Sequence, residues 1–204
     1  MPPERILLGE GAAWEEARKR TVAVLAWGGV AVLPAEGVYG YHVRADRPDA
    51  LARLRALKPR ESGRGLILLI AEPGELSRWA SNPPARALDL IRSHWPGPLT
   101  LVLPAASTVP PDVCGPDGTV ALRCPGSAFL RSVLSALGTA LASTSANAPG
   151  GPPPASAEAA ATGDTDLVVD AGPLSGQPST VVRLEGDAVR ILRAGAVRLE
   201  TGSP

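Results

Sequence analysis

The sequence predicts an α/β fold, one domain built around a mixed sheet. Short apolar runs bounded by Gly and Pro alternate with segments of helical spacing along most of the chain. The C-terminal part is strand-rich instead, and a Glu185-Gly186-Asp187 turn separates two of its runs, so parallel and antiparallel pairs should coexist. The 22 Gly and 22 Pro are spread over the 204 residues, as many short loops require. That length suits one buried core, expected as a single domain over 1–204 with its core at about 14–197. No internal repeat is visible.

A first helix is expected over about 14–27, because Trp14, Ala17, Thr21, Val24 and Leu25 recur at helical spacing and Glu15 and Glu16 suit the positive end of the dipole. Gly28 and Gly29 stop it. Residues 30–33 form an apolar strand closed by Pro34, and 35–40 a loop. Leu51, Leu54 and Leu57 share one face of a second helix over 48–57, which must end before Pro59, since proline disfavours a helical conformation at Lys58. A polar loop at 60–65 leads into a buried strand at 66–70. Short helices follow over 74–80 and 83–94, then a strand at 99–103, a long loop at 104–118 and a strand at 119–124 stopped by Pro125. Ser127 is placed to cap a helix through Leu137, with Gly138 as its stop. The strand at 139–142 runs into a stretch, 142–151, that carries Ser143, Thr144, Ser145 and Asn147 before it breaks into Pro and Gly. One or two helical turns at 156–161 precede strands at 167–169, 180–184 and 189–192, the last two a hairpin.

Lys plus Arg and Asp plus Glu number 20 each, so no net charge draws the chain to nucleic acid, and RNA or DNA binding would need a local basic patch. Aromatics, at 3%, are too few for an extended base-stacking surface. Cys114, Cys124, His42 and His94 form no metal-ligand spacing. A reduced cysteine pair is the simpler reading, although a disulfide between them is open. Met1-Pro-Pro-Glu-Arg lacks a signal-type apolar run and no stretch reaches membrane-span length. A soluble, cytoplasmic protein without membrane contact is expected.

The polar stretch at 142–151 lies at a strand end, where ligands collect in α/β sheets, although the same residues are ordinary turn formers. Lys58-Pro59-Arg60 sets a point charge beside a bidentate fork, suited to phosphate or carboxylate; a solvated helix terminus would read the same way. Arg123 ends an apolar strand just before a helix, where an unpaired charge is costly, and Arg193 repeats the pattern before Ala194-Gly195. There is no Gly-Lys-Ser/Thr P-loop and no dinucleotide glycine fingerprint, and neither histidine neighbours the hydroxyls in sequence. Cations and hydroxyls without an obvious nucleophile fit phosphoryl or nucleotidyl transfer, where positioning and charge neutralisation are the main contributions.

On these residues the chain resembles the YrdC-type L-threonylcarbamoyladenylate synthase family, over roughly 28–197. Pro34-Ala35-Glu36-Gly37-Val38-Tyr39-Gly40 is similar to the family's Pro-Thr-Asp/Glu-Thr-Val-Tyr-Gly loop, and Lys58-Pro59-Arg60 to its Lys-x-Arg motif. Trp95-Pro96-Gly97-Pro98-Leu99-Thr100-Leu101-Val102 matches closely. Thr119-Val120-Ala121-Leu122-Arg123, Ser145-Ala146-Asn147, Ser179-Thr180-Val181-Val182 and Leu192-Arg193-Ala194-Gly195-Ala196 follow in the family's order.

The resemblance implies a short, single-domain YrdC-like form, twisted, with an open, positively charged cavity. It implies condensation of L-threonine, bicarbonate and ATP to threonylcarbamoyl-AMP with release of pyrophosphate, feeding the N6-threonylcarbamoyl modification of adenosine 37 in tRNA. Lys58, Arg60, Ser145 and Asn147 would be the catalytic set. Lys58, Arg60, Thr119, Ser143 and Arg193 would surround ATP, and Ala35, Arg123, Ser145 and Ser179 the amino acid. Magnesium would arrive with ATP, without a dedicated protein site. Beyond the substrates, the implied partners are the proteins that transfer the group to tRNA, with double-stranded RNA as a further contact.

The pattern is not followed throughout. Ala35 and Gly37 stand where the family usually has threonines, and Leu69 where relatives usually carry a histidine. Pro178 and Arg183 each stand in place of an acidic residue. Most of these lie at the amino-acid end, where lost hydrogen-bonding groups weaken discrimination. Two alternatives therefore stand beside the synthase. One is a divergent member with a different acceptor; the other is a non-catalytic module for structured RNA, against which the neutral charge and few aromatics count.

Overall fold

The computed structural model describes residues 2–58, 66–147, 151–161, 164–186 and 188–199. The chain begins with β1 (Glu4–Leu7), α1 (Ala12–Ala26), the strands β2 (Ala31–Pro34) and β3 (Tyr39–Arg44), then α2 (Pro48–Leu57) and β4 (Ile67–Leu69). A 3-10 turn, Pro73–Glu75, runs into α3 (Leu76–Trp79), followed by α4 (Ala85–His94), β5 (Leu99–Pro104), β6 (Thr119–Arg123) and α5 (Ala128–Leu137). The last elements are β7 (Leu141–Ser145), α6 (Ala157–Ala160), β8 (Leu167–Asp170), β9 (Thr180–Glu185) and β10 (Ala188–Arg193). All ten strands join one sheet in the order β1-β8-β2-β3-β7-β4-β6-β5-β9-β10. Its ladders mix parallel pairs such as β4–β6 and β5–β9 with antiparallel pairs such as β3–β7 and β9–β10, as the expected mixed sheet requires.

Several punctuation signals act as read. Pro48 opens α2, and Ser127 Oγ accepts the Leu130 amide at 3.3 Å at the start of α5. Gly138 closes α5 in the left-handed conformation, φ 64°. Three strand assignments need correction. β1 was not anticipated, because Glu4–Leu7 gains its ladder from β8 rather than from its own pattern. Residues 35–40 are not all loop: β3 starts at Tyr39 and is held between β2 and β7. Most important, β7 does not end before the hydroxyls. Ladders with β3 and β4 carry Ser143 as strand, and the β3 ladder carries Thr144 and Ser145 too, so tertiary pairing overrides the turn propensity of these residues.

Register sorts the strand residues between the two faces, since cross-strand partners look to one side and chain neighbours to opposite sides. One face packs Val32, Tyr41, Leu68, Ala142, Leu101, Leu103 and Leu122 against α2 and α4 residues such as Leu54 and Leu90. The other places Ala31, Leu33, Leu69, Leu141, Leu167 and Val169 beneath Ala17 and Leu25 of α1 and Phe129, Leu130, Val133 and Leu134 of α5. Trp14 meets Phe129 edge to face, with ring centroids 6.0 Å apart, and ties the two helices together. Farther along, the same face carries Ser143, Ser145, Thr119, Ala121 and Val102, which are only partly buried. That partly buried stretch is where the polar residues gather.

Candidate active site

Ser143 and Ser145 alternate with Ala142 and Thr144 along β7, so both serines share the face of Leu141. Lys58, the residue that follows α2, reaches this strand end. Its Nζ donates to Ser145 O at 2.8 Å, to Ser145 Oγ at 2.9 Å and to Asn147 Oδ1 at 2.9 Å. Ser145 Oγ in turn donates to Asn147 Oδ1, and Asn147 Nδ2 donates to Gly151 O at 2.7 Å. Three of the four residues assigned a catalytic role thus form one cluster, although 87 residues separate Lys58 from Ser145 in the chain. Arg60, the fourth, lies outside the described residues.

A second cluster joins Arg193, expected at the nucleotide side, to Ser179, expected at the amino-acid end. Arg193 donates through Nε and Nη2 to Ser179 O, at 3.1 and 2.9 Å, and through Nη2 to Ser179 Oγ at 2.9 Å. Ser179 and Thr100 are both buried, and their hydroxyls pair at 2.9 Å. The guanidinium is therefore set by a backbone carbonyl and a hydroxyl pair, a rigid arrangement for an arginine at a strand end.

Arg123 forms a third. It is 6% exposed, and the cost expected of a buried charge is met by pairing: Nη2 lies on the Glu36 carboxylate and Nε donates to Gly97 O at 3.0 Å. Glu36 also accepts the Gly126 amide, so the loop between β2 and β3 is fastened to the corner where β6 turns into α5. Ala35 is partly buried in that loop, its amide donating to Val38 O at 3.0 Å. Glu36 belongs to the loop motif at 34–40, which carries no sign of the arginine it meets; only the fold shows that.

Thr119 stands at the start of β6, and its hydroxyl donates to Asp117 Oδ1 at 2.7 Å. Asp117 also pairs with Arg183, and these two contacts hold its carboxyl below the usual range. Leu69, where a histidine had been expected of relatives, is the cross-strand partner of both Arg123 and Leu141 and is packed into the apolar layer under α5. His42 is the cross-strand partner of Ser143 and fully buried; burial, aided by the nearby Arg123 charge, pushes its pKa down to about 4. Its Nδ1 lies 2.9 Å from Gly40 O, while Nε2 has no hydrogen-bond partner among the described residues. It is thus a neutral core histidine. Cys114 and Cys124 are free thiols, and burial raises Cys124 to about 11. Among the described residues no group of three or more His, Cys, Asp or Glu is placed to hold a metal, and no helix is long and apolar enough to cross a membrane.

Residues 23–195 match the Sua5/YciO/YrdC family model, which carries the description "Telomere recombination". The threonylcarbamoyl-AMP synthase of Halorhodospira halophila is 42% identical over 129 residues, covering 63% of this chain and 68% of that protein. The threonylcarbamoyl-AMP synthase of Vibrio campbellii is 32% identical over 181 residues, covering 87% and 98%. Among solved structures, P. abyssi Sua5 complexed with L-threonine superimposes with a TM-score of 0.86 at 30% identity. That match takes in 96% of this chain and 58% of the other, so the chain spans little more than half the length of Sua5. E. coli YciO, at 24% identity, shares the fold over 97% of both chains with a TM-score of 0.87. With the motif loop, the lysine–serine–asparagine cluster and the mixed sheet all in place, the chain belongs to the Sua5/YciO/YrdC family.

Proposed function

We infer that the protein is a threonylcarbamoyl-AMP synthase that condenses L-threonine, bicarbonate and ATP. The observation that carries this reading is the Lys58–Ser145–Asn147 cluster at the end of β7, three side chains that can present a cation and two neutral hydrogen-bonding groups to a phosphate. In the reaction, a carbamate oxygen of N-carboxythreonine attacks the α-phosphorus of ATP. The bond from that phosphorus to the bridging oxygen breaks, and the electron pair leaves with pyrophosphate. No protein nucleophile is required. Lys58, with Arg60, offsets charge on the phosphates as it builds on the leaving group, the type of electrostatic positioning that carries such transfers.

Ser145 and Asn147 orient the Lys58 ammonium, and Ser143, Thr119 and Arg193 extend the nucleotide side. Arg123, fixed by Glu36, meets the amino acid together with Ala35, Ser179 and Ser145. Magnesium would enter with ATP, with its ligands supplied mainly by phosphate and water rather than by the protein. The product passes in the cytoplasm to the proteins that transfer the group to adenosine 37 of tRNA, with double-stranded RNA as a contact of that stage.

Pyrophosphate release that requires L-threonine and bicarbonate together is the test. ATP binding without turnover on any amino acid would reject the reading. The packing of Leu69 and the bare Gly37 favour one second reading, a different acceptor on the same ATP chemistry. A screen of amino acids separates the two, because a clear preference for threonine eliminates the second. The non-catalytic RNA module has no comparable feature in its favour.

A further inference from the structure

β8 is second in the sheet and β9 ninth, and residues 171–179 cross between them. This connection is pinned along its length. Tyr39 Oη accepts the Ala171 amide at 2.9 Å and donates to Gly172 O at 2.7 Å. The Leu174 amide donates to Ala155 O at 2.8 Å, and the Gly176 amide to Gly37 O at 2.8 Å. Pro178 O accepts the Ala196 amide at 3.0 Å, and the segment ends at Ser179, bound to Thr100 and Arg193.

Gly37 meets this strap in a way that only glycine allows. It is not among the residues with positive φ, so its backbone conformation does not itself require glycine. Space does. A Cβ at position 37 would lie 1.9 Å from Gln177 O and 2.9 Å from Ser175 Oγ. The strap therefore occupies the volume that a side chain on Gly37 would fill. Any such side chain must drive the Gln177 carbonyl outward by about 1 Å or more to reach van der Waals separation. Gly176 has the complementary role: at φ 77° it takes the left-handed turn that aims its amide at Gly37 O. One residue before Gly37, Glu36 holds Arg123; at the strap's far end, Ser179 holds Arg193.

We propose that the strap at 173–178 is a wall of the amino-acid pocket, and that Gly37, by admitting it, sets the size of that pocket and so helps determine which amino acid is accepted. The proposal deepens the synthase reading and rests on it. The groups missing at positions 35 and 37 are then not simply lost donors. The pocket is bounded by backbone of the strap where a side chain would otherwise project.

Three variants test this: Gly37→Ala, Gly176→Ala and, as a control, Gly74→Ala, whose Cβ would meet nothing within 4 Å. Gly37→Ala should speed hydrogen exchange at the Gly176 amide at least about tenfold and raise the KM for L-threonine about tenfold, leaving the KM for ATP within about twofold. Gly176→Ala has space, with its nearest neighbour at 3.9 Å, but strains the turn, and should act in the same direction more weakly. Gly74→Ala should do neither. A Gly37→Ala protein of native circular dichroism with an unchanged KM for threonine, or with both KM values raised alike, overturns the proposal. So does unchanged exchange at Gly176, whatever the substrate. A wild-type chain that releases no pyrophosphate with threonine and bicarbonate instead defeats the synthase reading, and the KM comparison is then made with the amino acid that does support release; if none does, the pocket-wall proposal falls with that reading, whatever the exchange result.

Discussion

Strand β7 passes through two environments in five residues. Leu141 and Ala142 are fully buried, Leu141 opposite Leu69 in the apolar layer under α5, whereas Ser143 and Ser145, on the same face as Leu141, are partly exposed and one of them holds Lys58. The covered half is built from apolar side chains whose contribution scales with area removed from water. The open half is built from donors and acceptors that satisfy one another. The site begins where the helical cover ends, and substitutions on either side of that line should report on different quantities.

The largest contrast comes from Lys58→Ala. Removing the cation of the open half should lower turnover by about 10²–10³-fold, comparable to loss of one charge-stabilising group in other transfer enzymes, while the melting temperature moves little. Pyrophosphate release and thermal unfolding of the same preparation measure the two sides. An equal fall in both would place Lys58 on the structural side. Leu141→Ala is the mirror image. It leaves a cavity under α5 and should cost about 3 kcal/mol of stability, with turnover per folded molecule within about threefold of wild type. Denaturant unfolding checks the first part and active-fraction kinetics the second.

His42 sharpens the line, because it is the cross-strand partner of Ala31 in the covered half and of Ser143 in the open one. Its pKa near 4 in the folded chain lies below the ordinary 6.5, so the unfolded chain binds the proton more readily. The native state keeps its full stability above about pH 6.5 and loses up to about 3 kcal/mol as pH falls toward 4. Urea midpoints measured across that window should fall with pH, and His42→Gln should flatten the slope. A His42 ring signal that titrates near 6.5 in the folded protein would put the imidazole in the open, solvated half.

The covered half was largely legible in sequence. Helical spacing marks α5, Ser127 and Gly138 bound it, and apolar runs mark β4, β5 and β6 to within one or two residues. The open half was legible in composition but not in arrangement. Lys58, Ser145 and Asn147 could be singled out, yet their hydrogen bonds depend on β7 continuing through a run that reads as a turn. That continuation comes from β3 and β4 on its two sides, a long-range effect with no local signal. Glu36 illustrates the same limit. A carboxylate in a Pro-Ala-Glu-Gly loop carries no mark of the arginine it will meet 87 positions later. The filled space at Gly37 was hidden likewise, since a bare glycine suggests conformational freedom and here supplies room.

Glu36→Gln gives the smallest effect and the finest test, because the Glu36–Arg123 pair belongs to both halves. Arg123 is buried like a core residue, yet Nη1 makes no hydrogen bond to the protein among the described residues, whereas Nε and Nη2 are held by Gly97 and Glu36. The amide keeps the size of the side chain and one acceptor but turns a donor toward Arg123 or the Gly126 amide, and it removes the charge that offsets the guanidinium. With Glu36 partly in contact with solvent, the stability cost should be about 1–2 kcal/mol rather than that of a fully buried pair. The guanidinium, less firmly oriented, should also raise the KM for the amino acid several-fold and leave that for ATP unchanged. Loss of stability alone would move Arg123 wholly into the covered half. A change in KM alone would move it wholly into the site. The expected joint change means that one ion pair holds the two halves of the face in register.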